Sequence, residues 1–451
     1  MRAFFLTLLG LSVASSAAAE VVPLADLEKR ALERHVAVLA SQAKERAAEA
    51  GVREARSNYM PHVGVQIDNN VQPGRRIWQV NAINPADAEL DPDQQRTQPI
   101  LVQGASALDP NVSGRLRDKQ RRDVLRPVFR TTALMQITST LYDFGRTAAS
   151  VAVSRARLDA TKAENDVTRA EVVATVRATY LTWLSAVELH RIAAEATVDG
   201  SKRSERVSAL ITEGARPRGD FAPVEADRLL SQLELERALG DMEAARMALE
   251  YAIGETLSDS AEPDLKLLDT QVGTTSTRPD PQLRLLVFQR AVYEATARLQ
   301  RKAGMPALTV GLGAGVGVQP DPQGPRILPS YLAGIGLSVP IWDGGGSDAS
   351  ADATEARVDE LRIRLEDAEA ERNQEHAKAA LQAEHALKRR ATAEQLIDVC
   401  KARVTDTETG YAMGAMQFDQ VQQARSMLRR AETELVMAKV ARTEALLRTA
   451  P

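Results

Sequence analysis

The chain has 451 residues, with 57 Lys and Arg against 61 Asp and Glu, a formal net charge of −4. That near balance excludes a general nucleic-acid binder, which carries a clear basic excess, and one cysteine, Cys400, excludes an internal disulfide framework or a multi-cysteine metal site. Aromatic residues make up only 4% while hydrophobic residues reach 44%, which is the composition of closely packed helices rich in Ala, Leu and Val.

Residues 1–19 read as a signal peptide: Arg2 is the positive start, 4–14 is an apolar run, and Ala17-Ala18-Ala19 is the cleavage site. The apolar run is too short to span a bilayer as a helix, and no later run of about 18 apolar residues follows. No cysteine follows the run either, so acylation at a lipobox is not expected. The protein is expected to be exported.

The remainder repeats itself. LYDFG at 141–145 and IWDGG at 341–345 are related by a shift of 200 residues, and the same shift carries Gly214-Ala215 onto Gly414-Ala415. An offset held over so long a stretch points to duplication of a unit about 200 residues long. The first repeat is expected over 20–253 and the second over 279–451, joined by an equatorial linker at 254–278. Each repeat opens with a helix, 24 to about 57 in the first and about 281 to 303 in the second. Met60-Pro61 and Met305-Pro306 then break those helices and open extended segments.

The extended segments alternate with period 2, one face apolar and the other polar or Gly. Val63, Val65, Ile67 and Val71 oppose Gly64, Gln66, Asp68 and Asn70; Leu308, Val310 and Leu312 oppose Thr309, Gly311 and Gly313. Ala133, Met135 and Ile137, and then Ala333, Ile335 and Leu337, continue the pattern in the other two segments. Hairpins are therefore expected at 62–141, around a long loop at 72–127, and at 307–341. At about 10–12 residues each segment is long enough for a tilted strand to cross a bilayer. Tyr59, Tyr142, Phe144 and Trp342 stand at the strand ends, where a membrane barrel carries its aromatic girdle. Four strands cannot close a barrel alone, and an open edge cannot sit in lipid. The strands imply an oligomer that closes the barrel in contact with membrane lipid.

After each hairpin a long helix is expected, at 147–213 and 347–413, followed by a Gly turn and a half-length helix, at 221–253 and 418–448. A helix of 67 residues is about 100 Å long, so two half-length helices end to end would run beside it in a coiled-coil-like column. The fold class is mainly α, with four strands per protomer contributing to a transmembrane β-barrel. No catalytic constellation is present: the five His lack metal-ligand spacing, and there is no phosphate-binding loop. Neither an enzyme nor a cofactor is expected. Cys400 lies in a helix as a packing residue.

The strand-to-helix turns LYDFGR and PIWDGG, the Gly turns after 67-residue helices, and the terminal helix with Val421, Ala424 and Leu428 resemble the TolC family of outer-membrane channel-tunnels. The resemblance covers 24–70 and 128–450. It implies a homotrimer in the outer membrane, with a 12-stranded barrel above a helical periplasmic tunnel. It also implies docking to a periplasmic adaptor and an inner-membrane transporter of ABC or RND type, for type I protein secretion or small-molecule efflux. Adaptor docking would fall at the tip turns, with Gly214, Ala215, Asp220, Gly414 and Ala415. Tyr142, Asp143 and Gly145, with Trp342, Asp343 and Gly345, mark the strand–helix junctions.

The chain departs from the family pattern at the tip. Paired acidic rings in the family fall six and nine residues beyond the second Gly turn, and those positions here are Gln420 and Gln423. Asp419 is adjacent but points about 100° away on the helix, and the position of a basic locking residue is Met416. The tip constriction is expected among these four residues. The loop 72–127 ends in the basic run 115–126, suited to binding lipopolysaccharide phosphates or covering the pore mouth. A periplasmic adaptor is the main alternative, but adaptors carry one helical hairpin, and this chain has two.

Overall fold

The computed structural model describes residues 20–73, 127–269, 280–319 and 325–449. The signal peptide 1–19, most of the loop 72–127 with its basic run, and residues 270–278 of the linker lie outside the described residues. In chain order the elements are β1 (Glu20–Val22), α1 (Leu24–Arg34), α2 (Val36–Ser57), β2 (His62–Pro73), β3 (Pro127–Tyr142), α3 (Arg146–Thr212), α4 (Phe221–Ile253), β4 (Ala261–Pro263), α5 (Pro281–Arg301), β5 (Ala307–Gln319), β6 (Arg326–Ser338), α6 (Gly346–Ala412) and α7 (Phe418–Thr449). Short 3-10 turns occupy Arg218–Asp220 and Leu265–Leu268. None of the described helices is long and apolar enough to cross a membrane.

The chain divides into two compact units. The first holds residues 1–51, 153–295 and 353–451, and is helical apart from one short strand pair. Its helices pack along seams of small residues spaced by seven. On α4 the seam is Val224, Ser231, Ala245 and Ala252; on α7 it is Ala424, Ala431, Ala438 and Ala445; on α6 it is Ala379, Ala386, Ala393, Cys400 and Thr407, and all of these are buried. A seven-residue period keeps one face turned to a partner in a left-handed supercoil, and small side chains bring the helix axes close. Cys400 is one more small residue in that seam.

The large core of this unit lies where both ends of the described chain meet. Leu24, Leu27 and Ala31 of α1 pack with Val176, Tyr180, Leu181 and Leu184 of α3, Leu249 and Ile253 of α4, and Leu447 of α7. Tyr180 is fully buried, and its hydroxyl donates to the Val22 carbonyl at 3.0 Å and accepts from the Asp264 amide at 2.7 Å. That phenol pins the parallel pair β1–β4, a pairing with no counterpart in the four strands expected from sequence. The linker is thus partly ordered by hydrogen bonds rather than being a bare joint. Within its described part, Asp269 pairs with Arg390 at 3.0 Å and Lys439 at 3.2 Å.

The first helix also differs from the sequence expectation. It breaks at His35, whose backbone turns extended while its ring nitrogen Nδ1 accepts from the Ala37 amide at 3.2 Å. The side chain substitutes for a lost helical bond, as a turn-forming residue does.

The second unit, 52–152 and 296–352, carries a four-stranded antiparallel sheet in the order β2-β3-β5-β6. Its register sets Val65, Met135, Ala314 and Tyr331 across from one another, and Ile67, Ala133, Val316 and Pro329 likewise. Cross-strand partners share a face, so one face is apolar across all four strands, and Val65, Ile67, Met135 and Tyr331 are exposed on it. The opposite face is polar or Gly except for leucines: Leu134 lies there, over Gly313 and Gly315, and Leu332 and Leu328 of β6 stand across from Gly313 and Gly317. A Cβ on Gly315 would stand 2.0 Å from the Ala133 carbonyl oxygen, so only Gly fits at this approach of β5 to β3.

Burial pushes the Tyr180 phenol up to about 12 from 10.0, against a smaller opposing contribution from the Asp264 amide. The stability tied to the neutral phenol is full below pH 10 and is lost as pH rises towards 12. Tyr180→Phe strips partners from two backbone groups, at about 2 kcal/mol. Its thermal unfolding should fall below that of the parent at neutral pH, and the gap should close in alkali.

Candidate functional site

Two turns at the ends of the long helices share one construction. The Gly214 amide donates to the Ile211 carbonyl and the Ala215 amide to the Leu210 carbonyl; the Gly414 and Ala415 amides do the same to Tyr411 and Gly410. This is the Schellman closure of a helix, which needs a left-handed residue just past the helix. Gly214 has φ of 75° and Gly414 of 82°. Repetition of the same bonds at an offset of 200 residues is the structural counterpart of the sequence duplication.

Beside these turns Val207, Val224, Tyr411, Phe418 and Val421 form a second buried cluster. Phe418 meets the Tyr411 ring edge-on at 5.9 Å, and the Arg216 guanidinium stacks on that ring at 4.0 Å. The Tyr411 hydroxyl donates to the Asp220 carboxylate at 3.2 Å, and Arg216 stands 3.8 Å from the same carboxylate. Burial, and then the Asp220 charge, raise the Tyr411 phenol above its ordinary value. Met416 is half-buried and folds against Gly410, where a Cβ would stand 2.9 Å from its sulfur. Asp419, Gln420 and Gln423 are exposed, as are Gly214, Ala215, Gly414 and Ala415.

Further along the same helices charged groups are buried. Arg203 on α3 pairs with Asp227 on α4, both side chains more than nine-tenths buried. Arg425 on α7 donates to Glu408 on α6 through Nε at 2.6 Å. Two contacts cross between the hairpins: Arg425 reaches Asp199 on α3 at 3.3 Å, and the Gln422 amide reaches Asp227 at 3.5 Å. Burial, and then the positive charge of Arg425, lower the Arg203 pKa against the pull of Asp227 and Glu408.

The strand–helix junctions are built alike. Asp143 accepts from the Gly145 amide at 3.0 Å and the Thr147 amide at 2.6 Å; Asp343 accepts from the Gly345 amide at 3.0 Å and the Ser347 amide at 2.8 Å. These bonds satisfy amides that the first helical turn leaves unpaired. Burial raises the Asp143 carboxyl, but the bonds from Thr147, Gly145 and Arg146 outweigh it and hold it below its ordinary value. Tyr142 packs edge-on against Phe144 at 4.7 Å.

Of the residues singled out in sequence, Gly214, Ala215 and Asp220 lie in one turn, and Gly414, Ala415 and Met416 in the other. Asp220 and Tyr411 join the two. Sequence reasoning missed Arg216, Tyr411, Arg203, Asp227, Glu408 and Arg425. Asp227 carried a signal: it falls between Val224 and Ser231, on the face that the seam buries. The described residues hold no group of three or more metal-ligating side chains.

The fold is shared with solved structures of bacterial outer-membrane channels. The chain is similar to VceC of Vibrio cholerae, with 14% identity over 94% of this chain and 95% of that one, at a TM-score of 0.69. The open-state channel MtrE of Neisseria gonorrhoeae is similar at 17% identity over 94% of this chain and 87% of that one, with a TM-score of 0.68. CmeC of Campylobacter jejuni follows at 13% over 94% and 84%, also with a TM-score of 0.68. Likeness at such identities shows the fold. No curated protein sequence matches the chain. The outer membrane efflux protein family model matches residues 102–255 and 277–449, and the chain belongs to that family. It is a channel-tunnel of the outer membrane that extends into the periplasm.

Asp227→Ala would leave the Arg203 guanidinium buried without its partner, a change that costs about 3 kcal/mol. Thermal melting followed by circular dichroism should show the loss, and unchanged melting would show the pair to be dispensable.

Proposed function

We propose that the chain is a passive homotrimeric conduit that receives substrate from a periplasmic adaptor and an inner-membrane transporter of ABC or RND type. The observation that carries this reading is the matched pair of Schellman turns, which close both helical hairpins and leave Gly214, Ala215, Gly414 and Ala415 exposed. Those turns, with Asp220, are the adaptor's docking surface, and Met416, Asp419, Gln420 and Gln423 form the constriction. The energy for transport comes from the partner. Arg216 supplies the cation that the family pattern would put at Met416, so Asp220 and Tyr411 are held within one chain. Arg425, held by Glu408 and reaching Asp199, adds a second tie between the hairpins through Asp199, and release of both ties lets α6 and α7 swing outward.

Purified trimers in planar bilayers test this reading. Arg216→Ala combined with Arg425→Ala should raise single-channel conductance several-fold; unchanged conductance would remove the gating role. Exposed Gln420 and Gln423 carry no charge, so block of the parent channel by trivalent cations should be weak. Gln420→Asp with Gln423→Asp should make that block tight, and tight block of the parent would count against the constriction as assigned. A deletion strain separates the cargo classes: loss of a secreted protein assigns type I secretion, and sensitivity to drugs or metal ions assigns small-molecule efflux. Recovery of the protein as a soluble periplasmic monomer would favour the adaptor alternative.

A further inference from the structure

The first strand–helix junction gathers positive charge that the described chain does not answer. Arg146, the first residue of α3, donates through Nη2 to the Ala303 carbonyl at 2.6 Å and the Met305 carbonyl at 3.0 Å. Lys302, just past the end of α5, sets its Nζ 3.4 Å from the Gly145 carbonyl. Each cation therefore reaches the segment beside the other. Neither forms an ion pair among the described residues, and the Arg146 Nε is buried without a hydrogen-bond partner. Asp143, at the same turn, is already engaged by the Gly145 and Thr147 amides.

Lys302 suits the dipole at a helix C-terminus, but Arg146 stands at a helix N-terminus, where the dipole disfavours a cation. Nor does the turn need these charges. The second junction has the same cap at Asp343, yet Gly346 stands where the 200-residue repeat would put Arg146. Matching the Met-Pro pairs puts Ser57 in the place of Lys302.

The sheet sets the level of the turn. The β3–β5 register places Tyr142 on Leu308, and β6 adds Leu337 to that row, the one nearest the helices on the apolar face. Phe144 follows, edge-on to Tyr142 at 4.7 Å and exposed. Its φ of 54° is a left-handed conformation, which its counterpart Gly344 takes at 71° without strain. An exposed ring kept where glycine fits better gains nothing from core packing. Beside the end of an apolar sheet face it suits the membrane–water boundary. Arg146 and Lys302 lie just past that boundary on the side of α3, at the depth of lipid phosphates.

We propose that Arg146 and Lys302, with the Tyr142–Phe144 pair, form a binding site for the phosphodiester of an anionic phospholipid in the periplasmic leaflet. The inference rests on the outer-membrane placement of the sheet and adds a ligand to it. The two cations supply the counter-charge, and the rings cover the first carbons of the acyl chains. A zwitterionic headgroup fits less well, because its ammonium would meet two cations while Asp143 is held in the helix cap. The lipid would fix the height of the first hairpin in the bilayer and not that of the second.

Full-length protein purified in detergent, titrated with dioleoyl phosphatidylglycerol and followed by native mass spectrometry, tests the site. The parent should bind this lipid several-fold more tightly than dioleoyl phosphatidylcholine; equal affinity overturns the proposal. Lys302→Gln and Arg146→Gln should each weaken phosphatidylglycerol binding about fivefold, the effect of one cation at a lipid surface. Lys44→Gln, which removes a cation paired with Glu164 on the helical unit, should change nothing. If Arg146→Gln does not fold, as melting followed by circular dichroism would show, Lys302→Gln decides alone, since its single carbonyl contact is long. Undiminished binding by Lys302→Gln overturns the site. Millimolar inorganic phosphate should leave the lipid in place; displacement would make this a site for free anions and overturn the lipid assignment.

Discussion

A β-strand in hydrocarbon must pair every backbone amide and carbonyl, because no water is there to take them. The sheet of this chain meets that condition on its inner strands and fails it at β2 and β6, which have no outer partner among the described residues. Everything else in the second unit follows from that shortfall. The apolar face is continuous because lipid is its solvent, and the glycines on the other face let β5 come close to β3 at Gly315. A protomer with two open edges is an unfinished object that other copies complete.

The helical unit solves a different problem with equally little bulk. Its seams are Ala, Ser, Thr and Cys rather than Leu, so each pair of helices buries modest apolar area per residue and gains stability from length. Among the described residues the larger of two buried clusters surrounds Tyr180, Trp183 and Leu184. Far from that core the helices are joined by charge: Arg203–Asp227 and Arg425–Glu408 span each hairpin, while Arg425–Asp199 and Gln422–Asp227 cross between hairpins. Arg203–Asp227 is the buried pair among these, and such a pair contributes little net stability compared with apolar packing but is costly to break singly.

Much of this architecture was legible in the sequence because it is periodic. Alternation gave the four strands, the 200-residue offset gave the duplication, and Gly after long polar–apolar helices gave the turns. The Asp143 and Asp343 caps were visible for the same reason, since each is followed by Gly and a helix. What escaped was aperiodic. The break at His35 has no Pro or Gly to mark it, and the β1–β4 pair is three residues long and depends on a single phenol. Asp199 and Arg425 are distant in sequence and leave no local trace of their contact. Leu134 interrupts the polar face of β3 because Gly313 and Gly315 make room for it, and that room exists only once the sheet has formed.

The core around Tyr180 also bears on how the molecule is made. Val22 and Leu447 lie in it together, and Arg177 donates to the Leu447 carbonyl at 3.1 Å while its Nε holds Glu28 at 2.7 Å. Segments from the two extremes of the described chain therefore meet in its larger core. Contacts of such long sequence separation form late, since the intervening loop must be closed first. Packing of this core therefore waits until segments as far apart as Val22 and Leu447 have been brought together. Without Leu447 that core would lose one of its buried side chains and Arg177 one of its acceptors, so the two distant segments hold each other in place.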